Sequence, residues 1–217
     1  MSDSAPVARS PIAPAAPEVV AAGWAVSGRR SGAALTLTDC TPLAKVAVKA
    51  TWDGAMAKAL GVSLGIATRI TWDFGAGGVP ILLVGSGPGE WHALAPPGTH
   101  ACIAEQLAKT AAQVDELVTV IDLTHGRALV RLTGERSRDL LAKECGLDLA
   151  DHVCPDGAAL RSAVAGLASD LVRDDRDGAR SYLLHCERSS GQYLFDSLLD
   201  AGDEFGVEPA GFEPPGI

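Results

Sequence analysis

The stretch 120–149, VIDLTHGRALVRLTGERSRDLLAKECGLDL, restricts the possible folds more than any other part of the chain. It reads as strand, tight turn, strand, helix. Residues 120–123 are a short apolar run broken by Thr124-His125-Gly126. In residues 127–132, Arg127 and Arg131 alternate with Ala128, Val130 and Leu132, the period-2 pattern of a half-buried strand. Thr133-Gly134 ends that strand, and residues 135–145 form a helix with Leu140, Leu141 and Cys145 on one side. Gly146 follows, where a helix terminus favours a residue able to take positive φ. The same order occurs earlier. Leu37-Thr38-Asp39 leads to Thr41, then to the alternating run 45–49, then to a helix over 52–60 closed by Gly61. This faint internal repeat predicts an α+β protein of two related modules, each with helices packed on a mixed or antiparallel sheet.

The boundaries read as a flexible Ala/Pro-rich lead (1–22), a first module (23–116), a second (117–210) and a short tail (211–217). Pro11, Pro14 and Pro17 interrupt any helix in the lead. In the first module, residues 67–74 and 79–85 flank Gly75-Ala76-Gly77-Gly78, a hairpin signal, and a helix after Pro96-Pro97-Gly98 turns Ile103 and Leu107 inward. In the second module, residues 160–173 are β-rich towards their end and 174–178 form a turn. The returning strand 180–187 sets Tyr182, Leu184 and Cys186 against Leu183, His185 and Glu187. A helix over 189–206 has Ser189 and Gln192 at capping-box spacing. Leu194, Leu198, Ala201 and Phe205 form its apolar stripe, opposite Gln192, Asp196, Asp200 and Asp203.

Several functional classes are disfavoured. A formal charge of −9 argues against nucleic acid or an anionic membrane surface as the main partner. Five cysteines without a Cys-x-x-Cys pair argue against a disulfide framework or a closed zinc site. The longest apolar run, 79–84, is far short of a membrane span, and residues 2–17 lack the apolar segment of a signal peptide, so a cytoplasmic location is expected.

Both modules contain blocks that resemble a known family. DLTHGRALVRLTG, CPDGAALRSAVAGL and LHCERSSGQYLFDSLLDAGDEFG in the second, with LTDCTPLAKVAVKA and GPGEWHALAPPG in the first, look like the gamma subunit of heterotetrameric sarcosine oxidase. The likeness spans residues 36–211 and departs from the family pattern at Gly89. It implies a fold like the glycine-cleavage T-protein. It further implies a complex whose alpha, beta and delta subunits hold FAD, FMN, NAD, tetrahydrofolate and zinc. The implied reaction oxidises sarcosine and passes its one-carbon unit to folate. No catalytic residue on this chain is implied.

The residues themselves agree with a chain that has no catalytic, cofactor-binding or metal-binding site. Neighbours on a strand point to opposite faces, so Cys186 and His185 cannot pair as nucleophile and base. Cys145, His152 and Cys154 offer soft ligands but match no standard zinc spacing. Asp122 and His125 could hydrogen-bond a pterin, although an Asp in this setting commonly accepts bonds in its own turn. The run 85–89 is a glycine-rich hairpin without a following helix or Lys, and no G-x-G-x-x-G follows a strand. Trp91 and Arg188 are candidate interface anchors. Alternatively, Trp91 fills the core and Arg188 pairs with Glu187 or Asp196.

Overall fold

A computed structural model describes residues 6–75 and 77–217. The chain opens with β1 (Ala8–Arg9), β2 (Glu18–Ala21) and β3 (Trp24–Ser27), which form a small sheet in the order β1-β3-β2. The first module follows as β4 (Thr36–Asp39), β5 (Ala44–Lys49), α1 (Ala55–Leu60), β6 (Ala67–Asp73), β7 (Gly78–Gly87), β8 (Glu90–Ala95) and α2 (His100–Ala111). The second is β9 (Thr119–Asp122), β10 (Arg127–Thr133), α3 (Ser137–Glu144), β11 (Ala159–Val164), β12 (Leu167–Arg173), β13 (Ser181–Glu187) and α4 (Gly191–Gly202), with β14 (Glu208–Ala210) at the end.

The repeat is visible in the strand order. One sheet runs β6-β7-β8-β5-β9 and the other β11-β12-β13-β10-β4-β14. Each module lends its first strand to the other: β9 pairs with β5 in the first sheet, and β4 pairs with β10 in the second. The exchange repeats down to single bonds. Thr41 N–H donates to Asp39 Oδ1 and Thr124 N–H to Asp122 Oδ1, both at 2.9 Å. Lys45 N–H donates to the Thr124 hydroxyl oxygen (3.1 Å), and Leu129 N–H to that of Thr41 (3.3 Å). Cys40 N–H reaches Leu129 O and Leu123 N–H reaches Lys45 O, each at 2.8 Å. A D-x-T turn thus closes on itself and then holds the partner module's strand, once in each direction.

Three cores make four layers. Val46, Val48, Ile81 and Leu83 pack against Ile103 and Leu107 of α2. Val130, Leu132, Leu184 and Cys186 pack against α3 and α4 through Leu140, Leu141, Leu194 and Leu198. Between the sheets, Leu82, Val84 and Leu94 of the first meet Leu129, Val172 and Leu183 of the second. Both faces of the central strands are therefore buried, which corrects the half-buried expectation for 127–132. The polar residues that mimicked a solvent face, Lys45, His92, Arg131 and His185, lie on the inner faces and are buried.

Other local expectations are corrected as well. Residues 1–5 of the expected lead lie outside the described residues, and residues 8–21 are not a flexible lead: β1 and β2 flank the prolines, and Ile12, 2% exposed, enters the core beside α4. Ala13 N–H donates to Gln192 Oε1 (2.7 Å), so Gln192 holds this segment rather than closing a capping box. The helix over 189–206 is a regular helix at Gly191–Gly202 between two 3₁₀ turns, and Gly206 closes it at φ 68°. α3 ends with Cys145 extended at φ −145°, and Gly146 has no positive φ. α1 does end as expected, on left-handed Gly61. The region 160–173 is two strands split at Ala165-Gly166, both at positive φ. Phe212 and Ile217 of the tail are buried in the inter-sheet core.

Candidate functional site

The polar groups of the chain concentrate where the two sheets face each other. His92 on β8 and His185 on β13 meet there edge to face, with ring centroids 5.0 Å apart. They are 4% and 5% exposed. Both Nδ1 atoms turn to one oxygen of Asp170 on β12. His185 Nδ1 lies 3.3 Å from Asp170 Oδ2 and His92 Nδ1 lies 3.8 Å from it. Ser86 Oγ is 2.8 Å from His92 Nδ1. Arg161 covers the group from outside, its Nε 2.5 Å from Asp170 Oδ1 and its Nη1 3.3 Å from Glu90 Oε2. A small cavity of ≈ 10 Å³ lies among Ser86, His92, Asp170 and His185, with Leu94, Leu129 and Leu183 as its apolar wall.

The charge states follow from the surroundings. Burial, reinforced by neighbouring His185, pushes the His92 pKa down to about 4, and burial likewise lowers that of His185. Burial alone would raise the Asp170 pKa, but hydrogen bonds from His185 and Arg161 outweigh it and hold it below the usual carboxylate range. At neutral pH the group is two neutral imidazoles around one carboxylate. The histidines have depressed folded-state pKa values, so the unfolded chain binds more protons below pH 6.5. Their contribution to stability is complete above pH 6.5 and lost on acidification, that of His92 as pH falls towards 4. The denaturation midpoint of metal-free protein is expected to drop across that window, and less so in His92→Gln. A midpoint independent of pH between 6.5 and 4 would contradict this assignment.

Lys45 is a second buried ionisable group. Burial lowers its pKa to about 7, opposed by Asp39. Its Nζ donates to Thr41 O (2.7 Å) and Leu43 O (2.8 Å), which ties it to backbone and away from any reactant. A third feature is an open cavity of ≈ 450 Å³ at the far end of β4 and β10, bordered by Arg29, Arg30, Arg131 and Arg176. Arg131 Nη2 lies 2.7 Å from Asp174 Oδ2 in a buried pair, which Arg69 joins from the surface. Arg29 and Arg30 pair with Glu208 and Glu213, so most of the positive charge at this rim is already balanced.

The residues singled out from the sequence are dispersed. Asp122 accepts the Thr124 N–H in its own turn, and His125 stacks on Trp24 at 4.8 Å. The Cys186 thiol lies on the helix side of β13, opposite His185, and burial pushes its pKa up to about 11. Such a thiol is inert. Cys145, His152 and Cys154 do not form a metal-ligand group, whereas His92, Asp170 and His185 do, the one such group among the described residues. Trp91 is corrected from interface anchor to core residue: it is 2% exposed and its Nε1–H donates to Val62 O (2.8 Å). Arg188 pairs with neither Glu187 nor Asp196. Its Nη2 donates to Arg9 O (2.7 Å), while Glu187 pairs with Arg127. Sequence reading missed the His–Asp–His group because its members come from three strands. The available signal was a histidine on the last strand before the second helix of each module.

The fold is an α+β pair of modules with exchanged first strands, one sheet antiparallel and the other mixed through β14. The GCVT N-terminal domain model matches residues 90–214, and the chain belongs to that family. The sarcosine oxidase subunit gamma of Corynebacterium sp. (strain P-1) is 31% identical over 123 residues, 57% of this chain and 57% of that protein. The chain thus matches little more than half the length of that relative. Among solved structures, a chain of heterotetrameric sarcosine oxidase from Corynebacterium sp. U-96, in complex with pyrrole 2-carboxylate, has a TM-score of 0.64 and 22% identity. That alignment covers 82% of this chain and 89% of that one. The glycine cleavage system aminomethyltransferase T from Bartonella henselae has a TM-score of 0.71 and 18% identity, over 89% of this chain and 55% of the other. Among the described residues no helix is long and apolar enough to cross a membrane.

Proposed function

We propose that this chain is a non-catalytic gamma-type subunit of a sarcosine oxidase complex. In this reading the assembly demethylates sarcosine oxidatively to glycine, passes the one-carbon unit to tetrahydrofolate and forms hydrogen peroxide. The alpha, beta and delta subunits carry FAD, FMN, NAD, the folate site and zinc, in the cytoplasm. The observation that carries the reading is the likeness to sarcosine oxidase gamma. It is found in sequence at 31% identity, and a sarcosine oxidase chain is matched in fold over 89% of its length. The aminomethyltransferase is matched over only 55%. That difference favours a subunit over the rival reading of a stand-alone folate-dependent aminomethyltransferase. The division into modules at 23–116 and 117–210 and the interface role of Arg188 belong to the same proposal.

The chemistry of the interior supports it. The buried thiols of Cys40 and Cys186 have pKa values raised to about 11, and the Lys45 amine is turned to carbonyls. Purification through a tag on this chain from its native host tests the proposal. Flavin-bearing partners and oxidation of sarcosine by the eluate are expected. Oxidation of another N-methyl amine, such as N-methylglutamate, would keep the subunit role and change the substrate. Saturable binding of a reduced folate by the isolated chain, without partners, would favour the transferase reading instead.

A further inference from the structure

The inter-sheet His–Asp–His group has the composition and spacing of a metal site. One nitrogen from each ring and one Asp170 oxygen lie within 4.8 Å of one another. Two of the separations are known by atom, 3.3 Å and 3.8 Å from the histidine Nδ1 atoms to Asp170 Oδ2. A tetrahedral zinc ion with bonds of about 2.0–2.2 Å needs ligand–ligand edges of roughly 3.3–3.5 Å. One edge already fits and the second is a few tenths of an ångström long. The third edge, between the two imidazole nitrogens, is at most 4.8 Å, so the rings must turn for the set to close on one ion. The ≈ 10 Å³ cavity among these groups is about the size of one small occupant.

Two further observations agree with a cation held through Nδ1. Ligation through Nδ1 fixes the proton on Nε2. In His92 that nitrogen faces Glu90 Oε1 at 3.6 Å, which a slight ring movement would turn into the carboxylate–histidine contact that supports metal-bound imidazoles. The charge balance agrees as well. Asp170 and Glu90 contribute −2 and Arg161 contributes +1, so with neutral histidines the group carries −1.

We propose that His92 Nδ1, His185 Nδ1 and Asp170 Oδ2 bind one zinc ion that joins the two sheets, with the Ser86 hydroxyl or a water as fourth ligand. Ser86 and His92 stand on the first sheet, Asp170 and His185 on the second. The ion would therefore act as a cross-link at the centre of the repeat. The space beside the ligands is only ≈ 10 Å³ and is walled by Leu94, Leu129 and Leu183, too small for a substrate next to the ion, so the role is structural. The ligands all belong to this chain, and the site does not depend on the sarcosine oxidase reading.

Full-length chain is stripped with a chelator, and zinc or cobalt(II) is added back. Elemental analysis is expected to give one zinc per chain, and the thermal midpoint should rise with zinc concentration. Cobalt should give visible absorption typical of four-coordinate nitrogen and oxygen ligation, without a thiolate charge-transfer band. His185→Gln and Asp170→Asn should each weaken zinc binding at least tenfold, while His152→Gln leaves it unchanged. Less than a tenth of a zinc per chain with no thermal shift would overturn the proposal. A thiolate band would also overturn it, by placing the metal on cysteines, and so would unchanged affinity in folded His185→Gln. If the variants fail to fold, the cobalt spectrum of the parent protein decides alone.

Discussion

Replacing Leu198 with alanine is expected to lower the free energy of unfolding by ~2–5 kcal/mol. Leu198 is in the middle of α4 and fully buried, in the cluster that joins α3 and α4 to the second sheet. The surrounding Leu140, Leu194 and Val130 belong to three different elements that cannot all close on the space left behind. Against a total of ~5–15 kcal/mol the loss is large. Asp200, two residues on and exposed, should tolerate alanine with almost no change. Denaturant midpoints of the two variants and the parent measure the contrast. Equal midpoints for Leu198→Ala and the parent would show that α4 does not pack through this face.

Arg131→Ala is expected to cost ~3–5 kcal/mol for a different reason. Arg131 and Asp174 form a buried pair at 2.7 Å, and Arg131 Nη1 also donates to Ser181 Oγ (3.0 Å) and Asp174 O (3.2 Å). Removing the guanidinium leaves a carboxylate that is 3% exposed, with the partly exposed Arg69 still paired to it and Arg176 nearby, but without its buried partner. An uncompensated buried charge is far more costly than the intact pair is stabilising. The double variant Arg131→Met with Asp174→Asn should therefore recover much of the loss, and a double-mutant cycle reads the coupling. Strict additivity would mean that the two side chains do not depend on each other.

The sequence reveals the repeat because it is written in local signals: a D-x-T turn, an alternating strand and a helix after each. The α+β class, the 67–87 hairpin and the apolar stripe of α4 were legible on the same grounds. The inner sheet faces were not. Lys45, His92, Arg131 and His185 alternate with apolar residues as solvent-facing side chains do, and only the packing of one sheet on the other removes them from water. Strand exchange was equally hidden, since nothing in residues 36–39 or 119–122 says which module they pair with. The order in residues 8–21 depends on long-range contacts to Gln192 and Arg188, beyond the reach of a local rule. The His–Asp–His group needs three strands from two modules and has no spacing signature.

In the proposed reading this chain supports a complex without supplying a reacting side chain. Turnover per bound flavin in purified, fully assembled complex carrying Cys186→Ser or His125→Gln tests this. Both residues serve packing, Cys186 in the core and His125 against Trp24. Intrinsic turnover is expected to stay at the parent level, with any loss appearing as a lower yield of assembled complex. A general base contributes ~10²–10⁴-fold in rate, well beyond any effect of yield. A fall of about a hundredfold with assembly and flavin content intact would place chemistry on this chain and contradict the non-catalytic reading.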